Sequence, residues 1–396
     1  MGRRSESLTA VTTSGSSVRH AATPAPKGSR RVIFIDLARA LAVLFMLYGH
    51  ALDALLAPRY RTGTWFDVWT FQRGLTSCLF LLLSGFAFSI ATVRHWALHI
   101  TPSWAILRRA RRFALFTLLG YALHFPVNRF VELRHIDPER LRLFLGVDVL
   151  QLIGVTFFGV QALVMLTRSR RAFMIASFLL ALLVVGLTPL VWGIDWPQVL
   201  PPTIAAYLSE LTGSLFPLLP WSAYILVGAG LGQIYSRWGA VDLRRYANIG
   251  LIAPALTVIL LGVLLDHSHV FGTGQWSFIG PQFLVRTGSC LLMMGVMAHA
   301  SARLAHLPHL FGATAQETLL IYFVHLCIVY GSIWNVGLVQ RYGQTLGPGR
   351  MVAVVALLIA SMAGLASYWN WCKHARPRLA RGTIVAVWAL LVYRLL

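Results

Sequence analysis

Acidic residues are scarce in this chain: 13 Asp and Glu stand against 34 Lys and Arg in 396 residues. Charged residues of both signs reach only 12%, about half the usual share of a soluble domain, which excludes a soluble globular fold of this length. Cysteines number four, Cys78, Cys290, Cys327 and Cys372. All lie in apolar stretches without metal-ligand spacing, so they form neither a disulfide framework nor a metal site and read as small buried hydrophobes. The glycines of Gly228-Ala229-Gly230-Leu231-Gly232 lack the lysine of a phosphate loop and sit in an apolar helix, where close helix packing explains them. No internal repeat is visible, which counts against a transporter built from inverted halves.

What is present is hydrophobic: 57% of residues, arranged in runs near the length of a bilayer crossing. The fold class is therefore all-α, a polytopic integral membrane helical bundle. We expect eleven transmembrane helices, near 32–57, 75–93, 113–131, 149–167, 172–193, 216–235, 247–265, 283–300, 316–336, 351–371 and 382–396. The net charge of +21 invites a nucleic-acid reading, but its distribution argues against one. Basic residues cluster at alternate connections: Arg30-Arg31, Arg108 to Arg112, Arg168 to Arg171, Arg237 to Arg245, and Lys373 to Arg381. The connection 194–215 has none. This positive-inside pattern places the N-terminus in the cytoplasm and assigns the basic excess to topology. Residues 1–30, rich in Ser, Thr, Ala and Arg, read as a disordered cytoplasmic arm before a membrane domain at 31–396. They have no hydrophobic core of a secretory signal; an organelle transit peptide is the alternative.

Within the first span, Arg39 and His50 stand eleven positions apart, about three helical turns and roughly 16 Å along the axis. At about 100° per residue, Asp36, Arg39, His50 and Asp53 fall within one sector about 100° wide. A charge at the bilayer centre costs roughly 2.5 to 3.5 kcal/mol on insertion scales, so such a stripe implies a wet interior lined by protein. Asp36 and Arg39 also make sense as a local ion pair, and Asp53 as a headgroup-level residue. His50 suits a general base, with Asp53 one turn on to orient its ring. Arg39 keeps its charge and suits phosphate or a developing oxyanion.

Further candidates lie elsewhere. Arg108, Arg109, Arg111 and Arg112 form a basic mouth that can hold a phosphorylated donor or simply set topology. His325 and Glu317 lie on the ninth span, Asp148 and Gln151 open the fourth, and Trp221 opens the sixth; these are candidates for a substrate channel.

The stretch Arg31-Val32-Ile33-Phe34-Ile35-Asp36-Leu37-Ala38-Arg39-Ala40 resembles the opening of transmembrane acyltransferases. Arg39 and His50 match the Arg-x10-His signature of the acyltransferase type 3 family. Cys78 to Ala91, Gly146 to Gly154, Leu219-Pro220-Trp221 and Thr318 to His325 look more like the heparan-alpha-glucosaminide N-acetyltransferase catalytic domain family. Two positions depart: Ala40 stands where glycine is usual, and Gln151 where the glucosaminide-acetylating group has histidine. The resemblance implies a membrane acyltransferase in which cytoplasmic acyl-CoA, most simply acetyl-CoA, is a co-substrate among the inward arginines. The acyl group then passes, by direct transfer or through a His50-acyl intermediate, to an extracytoplasmic carbohydrate or glycolipid hydroxyl or amine. It implies no permanently bound cofactor, and a bacterial inner membrane as location. A proton-coupled transporter or a lipid-linked glycan flippase is the rival reading, because intramembrane His, Arg and Asp also build proton relays.

Overall fold

The computed structural model describes residues 2, 32–127, 129–268, 275–304, 306–332 and 334–395. The arm expected at 1–30 lies outside them apart from Gly2. From Ile33 onward the chain forms one compact unit. Among the described residues it is helical throughout, with isolated bridges in place of strands.

Thirteen helices carry the argument: α1 (Ile33–Leu55), α2 (Thr64–Val93), α3 (Trp104–Leu123), α4 (Pro138–Leu145), α5 (Val149–Thr167), α6 (Arg170–Trp192), α7 (Leu218–Ile234), α8 (Ala253–Ser268), α9 (Gln275–Ser301), α10 (His309–Gln316), α11 (Thr318–Tyr330), α12 (Pro348–Ala375) and α13 (Pro377–Leu395). Each of the eleven expected spans coincides with a helix, but fewer pass as membrane crossings. Among the described residues, seven helices are long and apolar enough, or eight if α10 and α11, bent by 78° at their junction, count as one broken span. The shortfall from eleven has visible causes. Helix α3 carries four arginines, α7 has only 17 residues, and α13 starts with Arg378 and Arg381.

Burial separates the centre from the rim. In α1, α2 and α5, 56 to 61% of the apolar window is buried, against 22% in α6, α12 and the Leu243–Ser268 segment. Helix α6 turns Leu179, Leu182, Leu183, Leu187 and Leu190 outward, as a lipid-facing helix does. Helix α1 is central and touches α2, α9, α10, α11 and α12.

The glycines of α7 act in packing. A Cβ on Gly85 would run into the Ile225 carbonyl oxygen, and one on Gly228 into the Leu82 carbonyl oxygen. The backbones of α2 and α7 are thus in direct contact, the use of small residues expected in a membrane bundle.

At the far end of the bundle from Arg39, two connections are stitched together. Arg142 donates to the carbonyls of Thr212 and Leu211, at 3.1 and 3.0 Å. The Val147 amide donates to Ser214 Oγ at 3.0 Å. This fixes the start of α5, where Asp148 and Gln151 form a reciprocal capping box.

Candidate active site

Helix α1 delivers its stripe to two separate environments. Near its start, Asp36 and Arg39 form the local ion pair, 3.8 Å apart. Arg39 also lines a cavity of about 470 Å³ walled by α1, α2, α3, α5, α10, α11 and α12. Its polar wall holds Arg112, Glu317, Tyr322 and Lys373. Glu317 sits at the elbow between α10 and α11 and is only 5% exposed. Lys373 Nζ lies 2.6 Å from its Oε1, and Asn370 Nδ2 donates to it at 3.0 Å. Asn370 and Lys373 are three residues apart and share one face of α12, so a single helix supplies both partners. Arg39, Arg112 and Lys373 outnumber the carboxylates Asp36 and Glu317 by one, a positive excess suited to an anionic ligand.

Three turns on, His50 enters a cluster of aromatic rings and imidazole. Its Nδ1 lies 3.1 Å from the Tyr330 hydroxyl, and its ring centroid 5.3 Å from that of His325. His325 is fully buried; its Nδ1 is 2.7 Å from the Ile321 carbonyl oxygen, so that nitrogen carries the proton. Among the described residues its Nε2 has no hydrogen-bond partner. The His325 ring also packs edge-on against Tyr322 at 5.8 Å. Tyr322 in turn donates to Asp148 Oδ2 at 3.2 Å. Because Tyr322 also lines the Arg39 cavity, contacts run unbroken from that cavity through Tyr322 and His325 to His50.

Several expected roles change. Asp53 reaches His50 through a partner: its Oδ2 takes a hydrogen bond from Arg73 at 2.9 Å, and its carboxylate stands beside the Tyr330 hydroxyl that meets the His50 ring. The arginines of α3 do not act as one group. Arg109 donates to Thr92 and Gln161, at 2.8 and 3.3 Å, and lies over Phe88. Arg111 lies over Trp104, Arg108 is exposed, and only Arg112 reaches the cavity. Arg109 and Arg111 point to different sides of α3, and of Arg108 and Arg112, one turn apart on a shared face, the second is the one at the cavity. Gln151 is held in its capping box, with Gly120 packed against its side chain. Trp221 lies in a separate pocket and does not line the Arg39 cavity.

Reading from sequence missed Tyr330, Arg73, Tyr322 and Lys373. For Tyr322 a signal existed: three residues before His325, it shares that helix face. Lys373 and Arg73 pair with carboxylates 56 and 20 positions away, and no local pattern announces such partners.

The fold is thus a multi-pass helical bundle in which a cavity at Arg39 is joined by side-chain contacts to the buried His325 and the half-buried His50. The family model described as heparan-alpha-glucosaminide N-acetyltransferase, catalytic, matches residues 31–264, more than half of the chain, and the chain belongs to that family. No curated protein matches it. The family makes this an integral membrane protein of acetyltransferase type. The matched segment contains Arg39, His50, Asp148 and Trp221 and stops short of Glu317, His325 and Tyr330.

Proposed function

We propose that the protein moves an acetyl group from acetyl-CoA, held in the Arg39 cavity, to a hydroxyl or amine of a glycan or glycolipid approaching His50 from the opposite side of the membrane. The observation that carries this reading is the contact path from Arg39 through Tyr322 and His325 to His50. Arg39, Arg112 and Lys373 offer donors for the phosphates of CoA, with the thioester arm extending along α1 toward His50. Tyr330 engages Nδ1 of His50 and leaves the other ring nitrogen for proton transfer. In the transfer step that nitrogen accepts the proton of the acceptor group. The acceptor oxygen or nitrogen bonds to the acetyl carbon, the carbon–sulfur bond breaks, and the departing thiolate of CoA takes up the proton. The Arg39 end of α1 is the cytoplasmic end in this reading, as the arginine distribution supports, and the bilayer is the bacterial inner membrane.

The test uses purified protein in nanodiscs with acetyl-labelled CoA. Wild type binds the donor and turns over its thioester, slowly with water and faster with an acceptor glycan; His50→Ala binds it and does not turn it over. Normal thioester turnover by a folded His50→Ala protein would falsify the assignment. Solute movement in liposomes without any acyl donor would favour the transporter reading.

A further inference from the structure

The Pro-rich connection 194–215 ends beside a second cavity, distinct from the one at Arg39. It has a volume of about 160 Å³. At roughly 30 Å³ per water this is space for about five waters, the scale of one small ring rather than of a lipid. Three segments converge on it: Trp192 from the end of α6, Glu210 from the connection, and Trp221 from the start of α7. Helix α9 closes it with Gln282, Phe283 and Arg286.

The donors and acceptors there are poorly matched within the protein. The indole N–H groups of Trp192 and Trp221 are buried, and among the described residues neither has a hydrogen-bond partner. Native proteins nearly always supply an acceptor to such a donor. Partial burial pushes the Glu210 carboxyl above its ordinary value, while the residue keeps an exposed side. Indole donors, a guanidinium, a carboxylate and an amide together offer both halves of the hydrogen bond to one ligand.

The chemistry discriminates among ligands. A phosphate would meet the Glu210 carboxylate. A hydrocarbon tail would leave Glu210 and Arg286 unsatisfied. A pyranose satisfies the set: its hydroxyls both donate and accept, and its apolar face fits the flat walls of Trp221 and Phe283. Position agrees. A Cβ on Gly74 would lie 3.5 Å from Arg286 Nη2, so that guanidinium packs on α2 next to Arg73. Arg73 pairs with Asp53, one turn beyond His50. The pocket shares none of its lining residues with the Arg39 cavity.

We propose that the cavity between Trp192, Trp221, Glu210 and Arg286 is a carbohydrate subsite that seats one saccharide ring of the acceptor. Its role as acceptor site rests on the acyl-transfer reading; the binding of sugar does not.

Saturation-transfer difference NMR on the full chain in nanodiscs, without acetyl-CoA, tests it with the methyl glycosides of glucose, glucosamine, galactose and mannose. At least one is expected to bind, with a dissociation constant raised tenfold or more in Glu210→Gln and in Trp221→Phe. Arg286→Lys serves as the second variant if Trp221→Phe does not fold. Absence of binding by all four glycosides, or binding that survives these substitutions unchanged, overturns the subsite. A sugar held here by a protein that never consumes the thioester would sink the acyl-transfer reading and leave the subsite standing. Thioester turnover dependent on His50 with no sugar retained here would do the reverse.

Discussion

Arg39 and His50 share one face of one helix, yet their surroundings differ in kind. Around Arg39 the wall is ionic: Arg112, Lys373, Glu317 and Asp36 compensate one another around a cavity. Around His50 the nearest groups are rings and hydroxyls: Tyr330, His325 and, one step further, Tyr322. The charged pair Asp53–Arg73 stands beside this cluster, each partner neutralising the other. The contrast is between a cavity wall built of several ionic side chains and a cluster of rings and hydroxyls with one ion pair, Asp53–Arg73, at its side. In the proposed reading, donor binding and proton transfer stand about three turns of α1 apart.

Four substitutions break or sharpen this contrast. The largest effect is expected at the imidazole end. His50→Ala should lower thioester turnover by about 10² to 10⁴, the usual contribution of a positioned general base, with donor affinity little changed. Single-turnover kinetics and calorimetry on one preparation check both halves.

At the ionic end the order reverses. Arg39→Ala should weaken acetyl-CoA binding by about ten- to a hundredfold, equivalent to the roughly 1.5–3 kcal/mol of a hydrogen bond to a charged group. The turnover rate at saturating donor should hold. An unchanged dissociation constant would remove Arg39 from donor recognition.

Lys373→Met should act on stability first. Glu317 is left buried without its cation, a loss of about 1–3 kcal/mol given that half of Lys373 remains near the surface. The double variant Lys373→Met with Glu317→Gln should recover most of it, as read by thermal melting in detergent. A single variant as stable as wild type would show the pair to be dispensable.

Tyr330→Phe is the mildest. It removes one hydrogen bond, about 0.5–1.5 kcal/mol, and should slow turnover by about three- to tenfold without moving donor affinity. Tyr330 is a positioning residue, so its loss should also displace the pH dependence of the rate. A pH–rate profile identical to wild type argues that the hydroxyl only packs.

The parts of this architecture that were legible in the sequence are the parts written locally. Helix α5 runs over Val149–Thr167, the bounds its apolar run gives, because Asp148 and Gln151 cap it from within four residues. The α1 stripe was readable because a helix converts spacing into direction, and the Asp36–Arg39 pair follows from the same rule. The elbow at Glu317 was not: an apolar run over 316–336 looks continuous, and the bend depends on Lys373 and Asn370 reaching in from α12. The partners of His50 and Asp53 were hidden for the same reason, since Tyr330 and Arg73 come from other helices. The arginines of α3 misled through proximity in sequence, which a helix undoes.

The contact of α2 with α7 has a consequence for the membrane as a barrier. Where Gly85 and Gly228 bring the two backbones together, the helices meet with no side chain between them. A catalyst that passes a group across a bilayer has to do so without short-circuiting the ion gradients on which the cell runs. Close backbone contact of this kind works against leakage between those two helices.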